Sequence, residues 1–213
     1  LNIPPSPSTV TVSIIDTTIS VPFPVSLVLR PIIGDVTQLT ANTYCFLISH
    51  TASNKTILFD LGARKDFSTN APTLVKRLHH FGINPTIEKD VPEILEEGGV
   101  DLKDINAVIW SHHHWDHTGD VSKFPLATEL VVGPGTSKMW PGYPANPESL
   151  LLESDYKDRP TREITFDKSP TGLKIGRFPA FDYFGDGSFY LLDAPGVSLP
   201  SSPTDSSTKN PEK

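Results

Sequence analysis

Four residues of one short stretch have the types and spacing for metal chemistry. They are His112, His114, Asp116 and His117, within Ser111-His112-His113-His114-Trp115-Asp116-His117-Thr118-Gly119-Asp120. Neutral imidazole and carboxylate are borderline-to-hard ligands that suit zinc, and also iron or manganese. In an extended segment the side chains of residues i and i+2 share a side, so His112 and His114 converge on one ion while His113 turns away. Where the chain then coils, Asp116 and His117 swing toward a second ion. Two ions about 3.5–4 Å apart polarise a substrate oxygen and bring the pKa of a bridging water toward neutrality. Histidine tracts are also found as mere compositional bias. Here the apolar run Ile105–Trp110 leads into the tract, and Gly119 follows where a tight turn or close backbone approach is needed. That context favours a built site.

Elements on both sides must hold this stretch. Ile105–Trp110 reads as a buried strand ending at the motif. Upstream, Gln38–Ser49 and Lys55–Phe59 read as two strands, and Ala52-Ser53-Asn54 suits the turn of a hairpin that delivers Asp60 to the end of the sheet. Val10–Ile15 and Ile19–Leu29, the second broken by Pro22 and Pro24, read as edge strands. Pro72 opens a helix through Leu74, Val75, Leu78 and His79, stopped by Gly82; His79 and His80 suit its negative end. Asp90 caps a second helix through Ile94 and Leu95 to Gly98-Gly99. Strand–helix–helix–strand is the rhythm of an α/β layer. After the motif, Leu130–Val132 is a short strand, and 133–147 is an irregular loop. There Met139, Trp140 and Tyr143 either wall a substrate site or pin a surface loop. Ile164–Phe166, Leu173–Ile175 and Phe189–Leu192 read as a second β-layer, with Asp182–Ser188 as a tight connection.

The motif Ser-His-x-His-x-Asp-His-x-Gly-Asp, intact from Ser111 to Asp120, resembles the signature of the metallo-β-lactamase-fold hydrolases. Thr56–Gly62, with its Asp60-Leu61-Gly62 turn, and Phe189–Gly196 look like that family's earlier and later strands, in the order and spacing of its lactonase-like branch. The resemblance implies an αββα sandwich and a two-ion site, zinc first, with iron or manganese possible. His112, His114, Asp116 and His117 would be the metal ligands and Asp60 an outer carboxylate near the second ion. A hydroxide made at the metals would open a lactone or other ester, with Asp116 passing a proton to the leaving oxygen. After Pro195-Gly196 the family pattern asks for a histidine, and this chain has Val197; no later bridging Asp or last His follows. The expectation is a sandwich with its C-terminal part incomplete, and two protein ligands per ion where catalytic zinc keeps three plus water. Asp193 becomes a carboxylate that orients the site without binding metal. The competing expectations are a truncated remnant that binds metal weakly and catalyses nothing, and the same fold performing thioester hydrolysis or iron-dependent sulfur oxidation.

The length of 213 residues suits one domain at 10–196, between a flexible segment 1–9 and a disordered polar tail 197–213. The formal net charge of −7, with basic residues scattered as in Arg64-Lys65 and Lys76-Arg77, argues against a nucleic-acid partner and reads those residues as solvated surface. A small-molecule substrate is the expected partner. Cys45, the only cysteine, excludes an intrachain disulfide and lies in an apolar run as a small buried hydrophobe. No run of 18 apolar residues suggests a membrane span, and a cytoplasmic, reducing compartment is expected.

Overall fold

The computed structural model describes residues 3–32, 34–166 and 172–194. The expectations placed on Pro195-Gly196, Val197 and the tail lie outside the described residues. In chain order the strands and helices are β1 (Thr11–Asp16), β2 (Ile19–Pro24), β3 (Gln38–Ala41), β4 (Tyr44–His50), β5 (Lys55–Phe59), α1 (Pro72–His80), β6 (Thr86–Ile87), α2 (Val91–Glu97), β7 (Ile105–Ile109), α3 (Trp115–Thr118), β8 (Glu129–Val132), β9 (Thr161–Glu163), β10 (Lys174–Ile175), β11 (Phe178–Asp182) and β12 (Tyr190–Leu192).

A six-stranded sheet ordered β1-β4-β5-β7-β8-β9 forms the centre. β1, β4 and β5 are antiparallel neighbours, whereas β5, β7, β8 and β9 run parallel. Its inner strands are apolar on both faces, as burial on two sides requires. Leu58, Val108 and Leu130 point to one face with Val91 and Leu95 of α2. Their alternates Ile57, Ile109 and Val131 point to the other, against Leu191 of β12 and Phe181 of β11. The molecule is thus layered as helix, central sheet and the small sheet β10-β11-β12. A second small sheet, β3-β2-β6, flanks them.

Asp90 caps α2 as expected, in a full capping box with Glu93. Cys45 is fully buried on the helix-side face, where burial pushes its thiol pKa up and the charge of Asp60 adds to that. Among the described residues no helix is long and apolar enough to cross a membrane.

Two strand expectations are corrected, and one strand is added. Gln38–Ser49 is two strands in different sheets, β3 and β4. The chain changes sheet at Thr43, whose hydroxyl lies 2.6 Å from that of buried Thr17, between β1 and β2. The strand expected at Ile164–Phe166 lies at Thr161–Glu163, on the edge of the central sheet instead of in the second layer. There Arg162 Nε and Glu129 Oε1, 2.9 Å apart, pair it with β8. Ile164, just beyond that strand, is packed in the core. Finally, β11 was not anticipated. Pro179 disguises it, and the Pro179 carbonyl instead accepts from Asp193 N at 2.9 Å.

Candidate metal centre

Two parallel strands end side by side, and the loops that leave them are laced together. At the end of β5, Asp60 N donates to Ile109 O at 2.8 Å, extending the ladder one residue past the strand. Leu61 N then donates to His117 O at 2.8 Å, and Gly119 N to Gly62 O at 2.9 Å. Gly119, with φ 51°, is required at this crossing because a Cβ there would lie 2.3 Å from Leu61 O. On the β7 side, buried Trp110 donates its indole N–H to Thr118 O at 3.1 Å, tying the strand to the far end of α3. His117 N and Thr118 N both donate to His114 O, which closes the single turn of α3 around the motif.

This scaffold gathers the four candidate side chains. The rings of His112 and His114 have centroids 4.5 Å apart, and those of His112 and His117 4.2 Å. His117 Nε2 lies 3.6 Å from Asp116 Oδ2. Asp60, buried behind them, accepts from Ser111 N at 2.7 Å, and from Ser111 Oγ and His117 Nδ1, both at 2.8 Å. His113 stands farther from His112, with centroids 6.3 Å apart; its buried Nε2 has no hydrogen-bond partner among the described residues.

Burial, helped by the neighbouring imidazoles, pushes His112 down to about 4. Burial also lowers His114. Both rings are therefore neutral near pH 7, the form that ligates metal. Burial works against the charged form of His117 too. The hydrogen bond to Asp60 and the charges of Asp116 and Asp60 outweigh it and raise that imidazole. The surroundings of His117 thus favour a positive charge, which a cation would supply. Among the described residues no group of three or more His, Cys, Asp or Glu side chains is arranged to hold an ion by itself. The donor types and the charge balance fit a cation, and the described residues alone do not close a ligand set around it.

Sequence reasoning missed two parts of the surroundings. Arg64, expected on the solvated surface, is buried. Its guanidinium pairs with Asp120 Oδ2 at 2.9 Å and also with Asp155, so it joins the segment after Asp60 to the end of the motif. Ser111 was read only as part of the signature. A cleft of about 940 Å³ opens beside His112 and His113, lined along the sheet by Val12, Phe46, Phe59 and Phe189. Asp193 lies on its wall. Met139, Trp140 and Tyr143 do not. Met139 packs on the helix-side core, Trp140 stacks on Tyr156 at 4.7 Å, and Tyr143 packs with the cluster around Leu74, so they pin the loop.

The sequence profile of the metallo-beta-lactamase superfamily matches residues 40–179. This chain belongs to the metallo-β-lactamase superfamily. A metallo-hydrolase of Annulohypoxylon moriforme is 48% identical to it over 204 residues, covering 93% of this chain and 52% of that protein. A gamma-lactamase of Fusarium pseudograminearum (strain CS3096) is 44% identical over 203 residues, covering 92% of this chain and 49% of that protein. This superfamily chain therefore spans about half the length of these curated relatives. An N-acyl homoserine lactone hydrolase, solved with N-hexanoyl-L-homoserine bound at its catalytic metal centre, superposes with a TM-score of 0.54 at 18% identity. The match covers 73% of this chain and 60% of that one. It shows that the α/β sandwich expected from the motif is the superfamily fold.

Proposed function

We propose that this chain belongs to a metal-dependent hydrolase that opens a small cyclic ester or amide, and that His112, His114, Asp116 and His117 are its contribution to the metal site. The gathering of three imidazoles and one carboxylate around the end of β7 carries this reading. The named activities of the relatives support it: one is a metallo-hydrolase and another a gamma-lactamase. His112 and His114 would hold one cation, and Asp116 with His117 a second. The donor set suits zinc, and also iron or manganese.

A bound cation supplies Lewis acidity toward a ring carbonyl and lowers the pKa of water. The protein's own residues do the rest. Asp116, the carboxylate within the cluster, moves a proton to the departing ring oxygen or nitrogen. Asp60 fixes the His117 ring through its Nδ1–H, and Ser111 N holds Asp60 in turn. The cleft along Phe46, Phe59 and Phe189 seats the uncharged part of the substrate and excludes water from it.

The test uses the zinc-loaded protein with a chromogenic lactone and a γ-lactam. Ring opening is expected, with zinc retained near stoichiometrically after dialysis. His112→Ala and Asp116→Ala should each retain less zinc than the wild type, and each should lose activity by at least about 100-fold. Turnover unchanged in either variant would refute the assignment. Absence of zinc from the dialysed wild type would favour a chain that binds metal weakly and catalyses nothing.

A further inference from the structure

The Ser111 hydroxyl lies between two groups of the candidate centre. Its Oγ is 2.8 Å from Asp60 Oδ2 and 3.0 Å from His112 Nδ1. The same Asp60 Oδ2 is 2.8 Å from His117 Nδ1. A hydroxyl has one hydrogen to give and two lone pairs to receive with, whereas a carboxylate only receives. The Ser111 hydrogen is therefore committed to Asp60. Its contact with His112 is a hydrogen bond only when His112 Nδ1 carries the hydrogen and donates to Oγ. By the same logic His117 Nδ1 donates to Asp60. In its neutral form each ring then keeps a bare lone pair on Nε2. A free neutral histidine prefers its hydrogen on Nε2, so the Nδ1–H form has to be imposed by the surroundings.

We propose that Ser111 is a positioning residue that relays the hydrogen bonding of Asp60 to His112. One buried carboxylate thereby sets the tautomer of an imidazole on each side of the candidate two-ion centre, and leaves Nε2 of both free for a divalent cation. This deepens the metal-site reading above and rests on it. Removing the hydroxyl isolates the relay, because Ser111 stays anchored by its backbone N–H, which donates to Asp60 Oδ1 at 2.7 Å. Ser111 is itself exposed, so its truncation leaves no cavity in the core.

The test is a long-range ¹H–¹⁵N correlation spectrum of metal-free protein labelled with ¹⁵N-histidine, recorded at pH 8. In the wild type His112 is expected as Nδ1–H, and His117 is expected to carry a hydrogen on Nδ1. Ser111→Ala should move His112 to predominantly Nε2–H and leave His117 unchanged, and Ser111→Thr should restore the wild-type pattern. Zinc titrated against a chromophoric chelator should bind roughly 10–100-fold more weakly to Ser111→Ala than to wild type, with Ser111→Thr close to wild type. An Nε2–H form of His112 in the wild type overturns the relay. So does an unchanged tautomer or unchanged zinc affinity in Ser111→Ala, or a simultaneous change at His117. Failure to open any lactone or lactam refutes the hydrolase reading alone, because the tautomers are read without metal or substrate.

Discussion

At Asp60 the backbone takes φ 62°, a left-handed conformation that costs most L-residues about 1–2 kcal/mol and that Asp and Asn tolerate better than others. The strained turn aims the carboxylate back under the motif, where it meets Ser111 N, Ser111 Oγ and His117 Nδ1. Asp60→Ala strips three donors of their acceptor and leaves a less tolerant residue in the left-handed region. Its unfolding free energy should fall by roughly 2–5 kcal/mol. Asp60→Asn keeps an amide oxygen and a tolerant backbone, and should lose less than half as much in the same urea titration. Equal losses would show that charge, and not hydrogen bonding, is what Asp60 contributes. The gathering of His112, His114, Asp116 and His117 was legible because their spacing lies within six consecutive residues. Ser111 is different. A serine before the first histidine says nothing of what its hydroxyl meets, and only the return of Asp60 from 51 residues upstream gives it a role.

Between elements, the same contrast appears at Arg64. Its neighbour Lys65 is exposed, and a charge in such a segment reads as solvent-facing. Yet Arg64 bridges Asp120 and Asp155 across three separate loops. Removing Asp155 leaves the buried Arg64 guanidinium with Asp120 as its counter-charge but takes away one charge-assisted hydrogen bond, so Asp155→Ala should cost about 1–3 kcal/mol. In a double-mutant cycle with Arg64→Met the two losses should fall short of additivity by roughly 0.5–3 kcal/mol. Full additivity would mean that the pair is not coupled. Elements whose stabilising contacts are local were readable: Asp90 caps α2, and Pro72 opens α1. The split at Thr43 and the strand β11 were not, since the first depends on a hydroxyl pair with Thr17 and the second on Pro179 being accepted opposite Lys174 of β10.

Across the whole molecule, the second β-layer is stapled to the central sheet through Asp186. Its carboxylate accepts from Ser188 and meets His50 Nε2 at 2.9 Å, while His50 stacks on Phe184 at 4.2 Å. Ser6 of the N-terminal segment also donates to Asp186 O at 2.6 Å. The Ser188 hydroxyl, with further hydrogen bonds including that of His50, holds the Asp186 carboxyl down at about 2. A depressed acid contributes stability that is present above its unfolded pKa near 3.8 and is lost as pH falls through the folded value. Asp186→Asn should therefore be less stable than wild type above about pH 4. That margin should shrink below pH 4 and close near pH 2, followed by urea midpoints. A margin that closes already near pH 6 would assign the effect to another group. The chain by itself determined the cluster of three imidazoles and a carboxylate, the cap of α2 and the two-sided apolar strands, because spacing, caps and continuous apolar runs are written in consecutive residues. The tertiary structure alone decided that Asp60 serves both Ser111 and His117, that Arg64 is buried, and that β9 joins the central sheet. Those outcomes depend on which groups meet across tens of residues, and the free energy of such a meeting belongs to neither segment alone.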